Sequence, residues 1–582
     1  MPRKKPFSVK EKKKQLQERR HRKQDALYTN SDDDEYRDDD NKRPGTSESS
    51  EGDTNISQDI DSNLRKIQEL KDLKHDPNRY RLLFLKETKE ELEKRKELSR
   101  SPYKMLSETC LEVDIDDIYK PGTVLDIPKR PPWDTTITKH DLERQEEIYF
   151  KGYLEKIFEK YSLHDLSYFE LNLETWRQLW RVTEMSDILL LITDIRHPAL
   201  HFPPALYDHV TTELNKPMIL ILNKTDLVPP GLVIAWKHYF KHRFPKLHVV
   251  CFTSHTKQPT NDDRTSDVDV LHRKRRKGKR LPATGPRELY EACEQIVQGK
   301  VDLDKWKSLY DDSDEVDTNI DSGHVETESE VDTSFTHHAQ YRDGVLTIGC
   351  VGYPNVGKSS MINGLVGRKV VSVSRTPGHT KHFQTIFLTP TVKLCDCPGL
   401  VFPSLVEKPL QILSGIYPIA QVREPYSAVL YLAERINLPK ILKLQVPGSP
   451  KKSQVEDKYE WTAFGICEAW AIKNGFMTAK GGRPDVYRAA NFILRLAVEG
   501  RLRLCFTPPE YVEKKEFWQS HPETQKILES QKVFKDDNSD EDISANSSED
   551  SSDEGTRPVA NQTKPVTNFV SSNPFALLGE DE

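Results

Sequence analysis

The eight residues Gly352-Tyr353-Pro354-Asn355-Val356-Gly357-Lys358-Ser359 constrain the fold more than any other stretch of this 582-residue chain. They spell G-x-x-x-x-G-K-S between the apolar run Val345-Leu346-Thr347-Ile348-Gly349-Cys350-Val351 and Ser360-Met361-Ile362-Asn363-Gly364-Leu365, which places a loop between a strand and a helix. Gly352 and Gly357 let successive N–H groups turn inward as an anion-binding nest, and the helix starting near Lys358 aims its positive dipole end at the same point. Such a loop holds a phosphate chain. Lys358 supplies a point charge to the β- and γ-phosphates, and the Ser359 hydroxyl is a ligand for Mg²⁺. Tyr353, Pro354, Asn355 and Val356 complete the expected cradle.

A phosphate loop does not say which base is bound. Upstream, Pro217-Met218-Ile219-Leu220-Ile221-Leu222 reads as a buried strand and ends in Asn223-Lys224-Thr225-Asp226. A carboxylate at a strand end can accept hydrogen bonds from guanine N1–H and the exocyclic amine. Adenine offers no such pair of donors and would leave the carboxylate unpaired, at roughly 1–3 kcal/mol. Asp226 therefore selects guanine, and Asn223, Lys224 and Thr225 belong to the same loop. The third piece, Asp396-Cys397-Pro398-Gly399, follows the strand-like Thr391-Val392-Lys393-Leu394-Cys395. There Asp396 would hold Mg²⁺ through water and the Gly399 N–H would meet the γ-phosphate, so that Lys358, Gly399 and a switch threonine are the catalytic candidates.

The order of the motifs matters. N-K-x-D comes about 130 residues before the phosphate loop, whereas Ras-like GTPases carry it after D-x-x-G. The G domain reads as circularly permuted, which surface termini lying close together tolerate. With these motifs, the run Tyr168-Phe169-Glu170-Leu171-Asn172-Leu173-Glu174-Thr175-Trp176-Arg177-Gln178-Leu179-Trp180-Arg181-Val182 and Asp194-Ile195-Arg196-His197-Pro198, a D-A-R-x-P with Ile for Ala, the sequence resembles the circularly permuted GTPases of the ribosome-assembly type, in the branch that includes the eukaryotic large-subunit GTPase. The similarity covers roughly residues 140–255 and 340–510.

The resemblance implies a P-loop α/β GTPase domain followed by a helical, RNA-contacting C-terminal domain. It implies that Thr380, in Val370-Val371-Ser372-Val373-Ser374-Arg375-Thr376-Pro377-Gly378-His379-Thr380, is the Mg²⁺-sensing threonine of the first switch, with Thr376 as the fallback. Ser254, in Thr253-Ser254-His255, occupies the place of the short loop that supports the base, without the usual Ala. Asn355 resembles the asparagine that in several GTPases helps hold K⁺ against the phosphates. The position after Gly399, where Ras-like enzymes carry the water-orienting glutamine, is Leu400, which predicts slow intrinsic hydrolysis completed by K⁺ or a partner.

Composition decides what surrounds this domain. Charged residues make up 31% and apolar ones 36%, so only about 350–380 residues are expected in packed domains. The eight cysteines lack a paired C-x-x-C spacing, which argues against a zinc site and for a reducing compartment. No apolar run approaches the length of a membrane span, and the expectation is a soluble intracellular protein with no membrane and no DNA partner. Residues 1–62 form a basic then acidic tail expected to be disordered. Residues 1–24 and the run His272 to Arg280 are expected to contact RNA phosphates or to act as a nuclear or nucleolar address, with shuttling to the cytoplasm open. The serine-rich acidic stretches are candidate phosphorylation sites and candidate contacts for protein partners.

Residues 63–173 are read as a helical extension, charged over 63–100 and amphipathic over 138–160, and residues 174–404 as the G domain. Within it, 188–193 and 247–252 are strands and 230–243 a helix. Trp176, Leu179 and Trp180 at helical spacing are core, and Asp194 with Arg196 either faces a ligand or forms an ion pair. A charged insert at 256–340 is expected to be largely disordered, with a helix near 287–298. Residues 405–510 are the helical domain, where Lys480, Arg483, Tyr487, Arg488 and Arg495 suit RNA backbone or a solvated face, and 511–582 are an acidic disordered tail. The functional expectation is a Mg²⁺-dependent GTPase, turning GTP into GDP and phosphate, that serves as a switch on a pre-ribosomal or other RNA–protein particle. The rival is a GTP-binding regulatory scaffold with negligible hydrolysis. A third reading is an RNA-binding protein whose nucleotide site is purely structural.

Overall fold

Strands buried on both faces read as unbroken apolar runs, and the centre of this sheet is built from three of them. The computed structural model describes residues 89–120, 123–134, 137–162, 165–254, 283–311, 339–374, 384–446, 459–478 and 482–528, with Leu82, Phe84, Glu87 and Gly378 besides. Among these, six strands form one sheet: β1 (Ile188–Asp194), β2 (Met218–Asn223), β3 (His248–Phe252), β4 (Leu346–Val351), β5 (Gln384–Thr389) and β6 (Val392–Asp396). Their spatial order is β3-β2-β1-β4-β6-β5. Every neighbouring pair is parallel except β5 with β6. β1, β2 and β4 are buried at every position, as their Ile-, Leu- and Val-rich sequences require.

The permuted chain order still yields a convergent site. β4, from the second half of the chain, pairs with β1 on one side and β6 on the other. Because these strands run in parallel, Asp194, Asn223, the loop after Val351 and Asp396 all emerge at the same sheet edge, where open α/β sheets place ligands. β5, which the sequence pattern did not single out, is half-buried and returns antiparallel to β6 through Thr389-Pro390-Thr391.

Among the described residues the helices of six residues or more are α1 (Lys89–Leu98), α2 (Lys139–Lys160), α3 (Leu173–Met185), α4 (Pro230–Arg243), α5 (Pro286–Val297), α6 (Asp304–Asp311), α7 (Lys358–Val366), α8 (Lys408–Leu413), α9 (Tyr426–Arg435), α10 (Ala463–Lys473), α11 (Val486–Val498) and α12 (Lys515–Ser520). The Thr138 side chain caps α2 by accepting from Asp141 N–H. Buried Glu146 on α2 then accepts from Arg130 at 2.9 Å and from Arg177 of α3 at 2.7 Å, which ties the extension to the G domain. Trp176 and Trp180 of α3 are core residues that donate their indole N–H groups to Glu170 O and Pro128 O.

Two expectations are corrected. Residues 283–310 of the 256–340 insert are folded: the helix expected near 287–298 is there as α5, and the folded part extends beyond it through α6. Leu289, Tyr290, Cys293 and Val297 recur at helical spacing and, with Trp306, bury enough apolar surface to hold α5 and α6 against the sheet. Thr253 and Thr284 exchange backbone hydrogen bonds there, and Gly285, at φ +104°, sits so close that a Cβ would lie 2.3 Å from Cys251 O. The acidic tail does not begin at 511. Tyr511 and Thr524 are buried, and α12 lies on α4 with Trp518 O 3.1 Å from where a Gly231 Cβ would be. Of the charged helix expected over 63–100, the described stretch Lys89–Leu98 is helical, and the described residues of 99–134 run largely without regular structure, as Pro128, Pro131 and Pro132 favour. The tail 1–62, residues 63–81, the basic run 272–280, the acidic stretch near 312–333, Thr376, Thr380, Lys480 and everything beyond 528 lie outside the described residues.

Candidate nucleotide-binding site

The loop between β4 and α7 is shaped by two residues in left-handed backbone states. Asn355 sits at φ +59° and Gly357 at φ +102°. A Cβ on Gly357 would lie 2.4 Å from Asn223 Nδ2, so the second loop glycine answers both a dihedral and a close approach from β2. Asn223 Nδ2 donates to Val356 O at 2.8 Å. Lys224, itself at φ +63°, donates from Nζ to Asn355 O at 2.6 Å and to Asp194 Oδ2 at 2.8 Å. The first two residues of N-K-x-D thus brace the phosphate loop from behind. Thr225 Oγ1 lies 2.5 Å from Thr253 Oγ1, tying the base loop to the loop after β3. Asp226 is half-buried in the turn Thr225–Leu227 at the sheet edge. Ser254 follows Thr253, and its Oγ is buried without a hydrogen-bond partner among the described residues.

The charged groups lie where a phosphate and a cation need them. Lys358 is almost fully buried and donates from Nζ to Gly352 O at 3.0 Å and Tyr353 O at 2.8 Å. Burial lowers its pKa, and the nearby Asp396 carboxylate works against that shift. Ser359 Oγ donates to Asp396 Oδ2 at 3.1 Å. Burial pushes the Asp396 carboxyl up to about 6, against the pull of Lys358 and Ser359, and its Oδ1 is buried with no hydrogen-bond partner among the described residues. A buried carboxylate oxygen with nothing to bind, beside a hydroxyl and the start of a helix, is what a divalent cation completes, so these residues fit Mg²⁺.

The D-x-P-G loop presses on the phosphate loop. A Cβ on Gly399 would lie 2.8 Å from both Pro354 N and Pro354 Cα, and Leu400 N–H donates to Gly352 O at 3.3 Å. Cys397 N–H donates to Cys350 O at 3.2 Å. The Leu400 side chain is fully buried and packs into the protein.

Behind the site lies a buried polar cluster that the sequence motifs did not assemble. Arg196 grips Asp194 through Nε to Oδ1 at 3.0 Å and Nη2 to Oδ2 at 2.7 Å, so the pair forms an ion bridge, one of the two alternatives its position left open. The same guanidinium donates to Ala497 O and Val498 O, closing the C-terminal end of α11. Although burial raises it, the Asp194 carboxyl is held well below the usual range by Arg196 and Lys224. Burial keeps His197 and His201 neutral, His201 down to about 3, and His201 Nδ1 accepts from Asp194 N–H at 3.3 Å. Tyr353 of the phosphate loop shares a 2.6 Å hydrogen bond with Tyr119 of the extension. These links span up to about 300 residues of sequence, and no local pattern signals them.

Asn355 Nδ2 donates to Gly415 O at 2.9 Å, just after α8, so this amide nitrogen is turned toward the helical domain. On that domain Arg483, Tyr487, Arg488 and Arg495 are exposed, with Arg488 over the Phe476 ring.

Known proteins support this reading. The family described as 50S ribosome-binding GTPase matches residues 347–440. Guanine nucleotide-binding protein-like 1 of Homo sapiens is 52% identical over 549 residues, covering 91% of this chain and 89% of that protein. The protein of the same name from Mus musculus is 51% identical over 554 residues, covering 91% and 90%. Large subunit GTPase 1 homolog of Bos taurus is 32% identical over 449 residues, covering 66% of each. The G-x-x-x-x-G-K-S loop, the N-K-x-D loop and Asp396 meet at one sheet edge in a permuted order, and the chain belongs to the guanine nucleotide-binding protein-like 1 family of GTP-binding proteins.

Proposed function

We propose that the protein hydrolyses GTP to GDP and phosphate and acts as a nucleotide-dependent switch in assembly of the large ribosomal subunit. The observation that carries the proposal is the seat made by Ser359 and the unpartnered Asp396 Oδ1 beside a phosphate loop braced by Asn223 and Lys224. Bound Mg²⁺ supplies charge neutralisation along the phosphates. Lys358 exchanges its two backbone carbonyls for phosphate oxygens, the Gly399 N–H reaches the γ-phosphate, and Thr380 closes the first switch over it. Asp226 reads guanine, with the Ser254 hydroxyl as a second polar group at the base.

Leu400 cannot orient water, so turnover is slow until K⁺ or a particle supplies what the glutamine would. K⁺ at Asn355 is compatible with the 2.9 Å bond to Gly415 only through the amide oxygen. The exposed Arg483, Arg488 and Arg495 offer an RNA-backbone face, and the family description and the name of the bovine relative favour a large-subunit particle as its bearer. Residence in the nucleus or nucleolus, with the basic runs as address and the acidic tails as sites for protein partners, is part of the same proposal.

The buried Leu400 also favours a second reading, a GTP-bound scaffold with negligible hydrolysis. GTP turnover by the purified protein in KCl and NaCl, with and without large-subunit particles and with Lys358→Ala as control, separates the two. Particle-stimulated turnover lost in the control supports the switch. Tight GTP binding without turnover in any condition supports the scaffold.

A further inference from the structure

Far from the phosphate loop, α4 and the segment 511–528 bring two imidazoles and a carboxylate together. The ligand atoms of His238, His521 and Glu523 all lie within 4.8 Å of one another, and all three residues are partly exposed. His238 Nε2 is 3.5 Å from Glu523 Oε1. Bonds of about 2.0–2.1 Å to a tetrahedral Zn²⁺ place neighbouring ligand atoms about 3.3 Å apart, so this pair needs almost no adjustment. Lys237 takes the other carboxylate oxygen, Oε2, at 3.0 Å, which leaves Oε1 as a single ligand and fixes its direction. The His521 ring is 5.0 Å from that of His238, and its Nδ1 accepts from Glu523 N–H at 3.3 Å, a long bond that a metal would outcompete. Trp518 packs against both imidazoles, with ring centres 5.4 and 5.9 Å away, and Phe517 against His521 at 5.8 Å. Aromatic walls of this kind restrict water and strengthen metal–ligand bonds.

We propose that His238, His521 and Glu523 form a Zn²⁺ site that fastens the segment 511–528 onto α4. Two imidazoles and one carboxylate are a donor set suited to this ion, and the partial exposure leaves a fourth position for water. The ion would join the two elements through side chains on both, since His238 belongs to α4 and the other two follow α12. α4 begins at Pro230, shortly after Asp226, so the clamp also stiffens the element that carries the guanine loop. The contacts already present between α4 and this segment, the Gly231–Trp518 approach and the Lys237–Glu523 pair, bring the ligands together without the ion.

The test uses the full-length chain stripped of metal, beside His238→Ala, His521→Asn and Glu523→Gln. Zn²⁺ is titrated calorimetrically, and tryptic cleavage after Lys514, Lys515 and Lys526 is timed with and without Zn²⁺. Other histidines and the eight cysteines take up Zn²⁺ too, so the readout is the difference between wild type and variants. The site predicts one equivalent fewer in each variant, or about tenfold or more weaker binding of that equivalent, and Zn²⁺-dependent protection of those lysines in the wild type alone. Metal-free melting of His521→Asn equal to that of the wild type separates loss of the site from loss of the fold. Equal stoichiometry, affinity and protection in the wild type and all three variants would overturn the proposal, as would protection by Zn²⁺ that survives in Glu523→Gln and His521→Asn together.

Discussion

Replacing Gly357 with Ala tests how the two halves of the permuted domain brace each other. An L-residue in the left-handed region costs roughly 1–2 kcal/mol. The new Cβ would also stand 2.4 Å from Asn223 Nδ2, so Asn223 must move and release its 2.8 Å bond to Val356 O. Losing that bond costs about 1 kcal/mol net, and a buried amide left without a partner raises this to about 1–3 kcal/mol. The single substitution should therefore destabilise by about 2–5 kcal/mol. In an Asn223→Ala background the collision and the bond are already gone, and only the backbone cost of about 1–2 kcal/mol remains. Urea unfolding of the four proteins of the cycle should give a coupling of about 1–3 kcal/mol, and affinity for a fluorescent GDP analogue should show the same non-additivity. Additivity within about 0.5 kcal/mol would refute the reasoning, because Asn223 would then not be what the glycine makes room for.

Other perturbations follow from the same geometry. Arg196→Met removes one partner of the buried Asp194 and should cost about 3–5 kcal/mol in urea unfolding, although Lys224 still faces the carboxylate. Asp396 has its carboxyl raised from 3.8 to about 6 in the folded protein, so its contribution is fully present below pH 4 and is lost as pH rises through 6. Asp396→Asn should accordingly raise stability without nucleotide at pH 7.5 by about 1–3 kcal/mol and flatten the pH 4–6 slope relative to wild type, while abolishing the Mg²⁺ dependence of GTP affinity. Equal slopes in the two proteins would count against the buried cation seat. Gly285→Ala puts a Cβ against Cys251 O and should destabilise the G domain by about 2 kcal/mol or more; no effect would mean that 283–310 does not share its core.

Much of the site was legible because its chemistry is local in sequence. G-x-x-x-x-G-K-S, N-K-x-D and D-x-P-G each specify a strand end and a loop, and parallel strands bring those ends to one edge. The buried strands were legible for a related reason, since Ile188–Asp194 and Met218–Asn223 are too uniformly apolar to sit elsewhere. What escaped is long-range. Arg196 closes a helix whose residues lie about 300 positions away, and Tyr119 meets Tyr353 across 234 positions. Charge density misled the reading of the flanks. Leu289, Cys293 and Val297 are few, but they lie on one face of α5, with Trp306 of α6 against its Tyr290, and that buried face rather than mean composition decides whether the segment packs. Likewise Tyr511 is buried and Trp518 packs on α4 well past position 511, where acidic residues had suggested a tail.

The central claim is that nucleotide state governs engagement of a large-subunit particle. Co-sedimentation of the purified protein with such particles, in a non-hydrolysable GTP analogue, in GDP and without nucleotide, tests it most directly. The account predicts the tightest association with the GTP analogue and release in GDP, with Lys358→Ala indifferent to nucleotide. Equal association in all three states would contradict the switch and leave a particle-binding protein whose nucleotide site serves its structure alone.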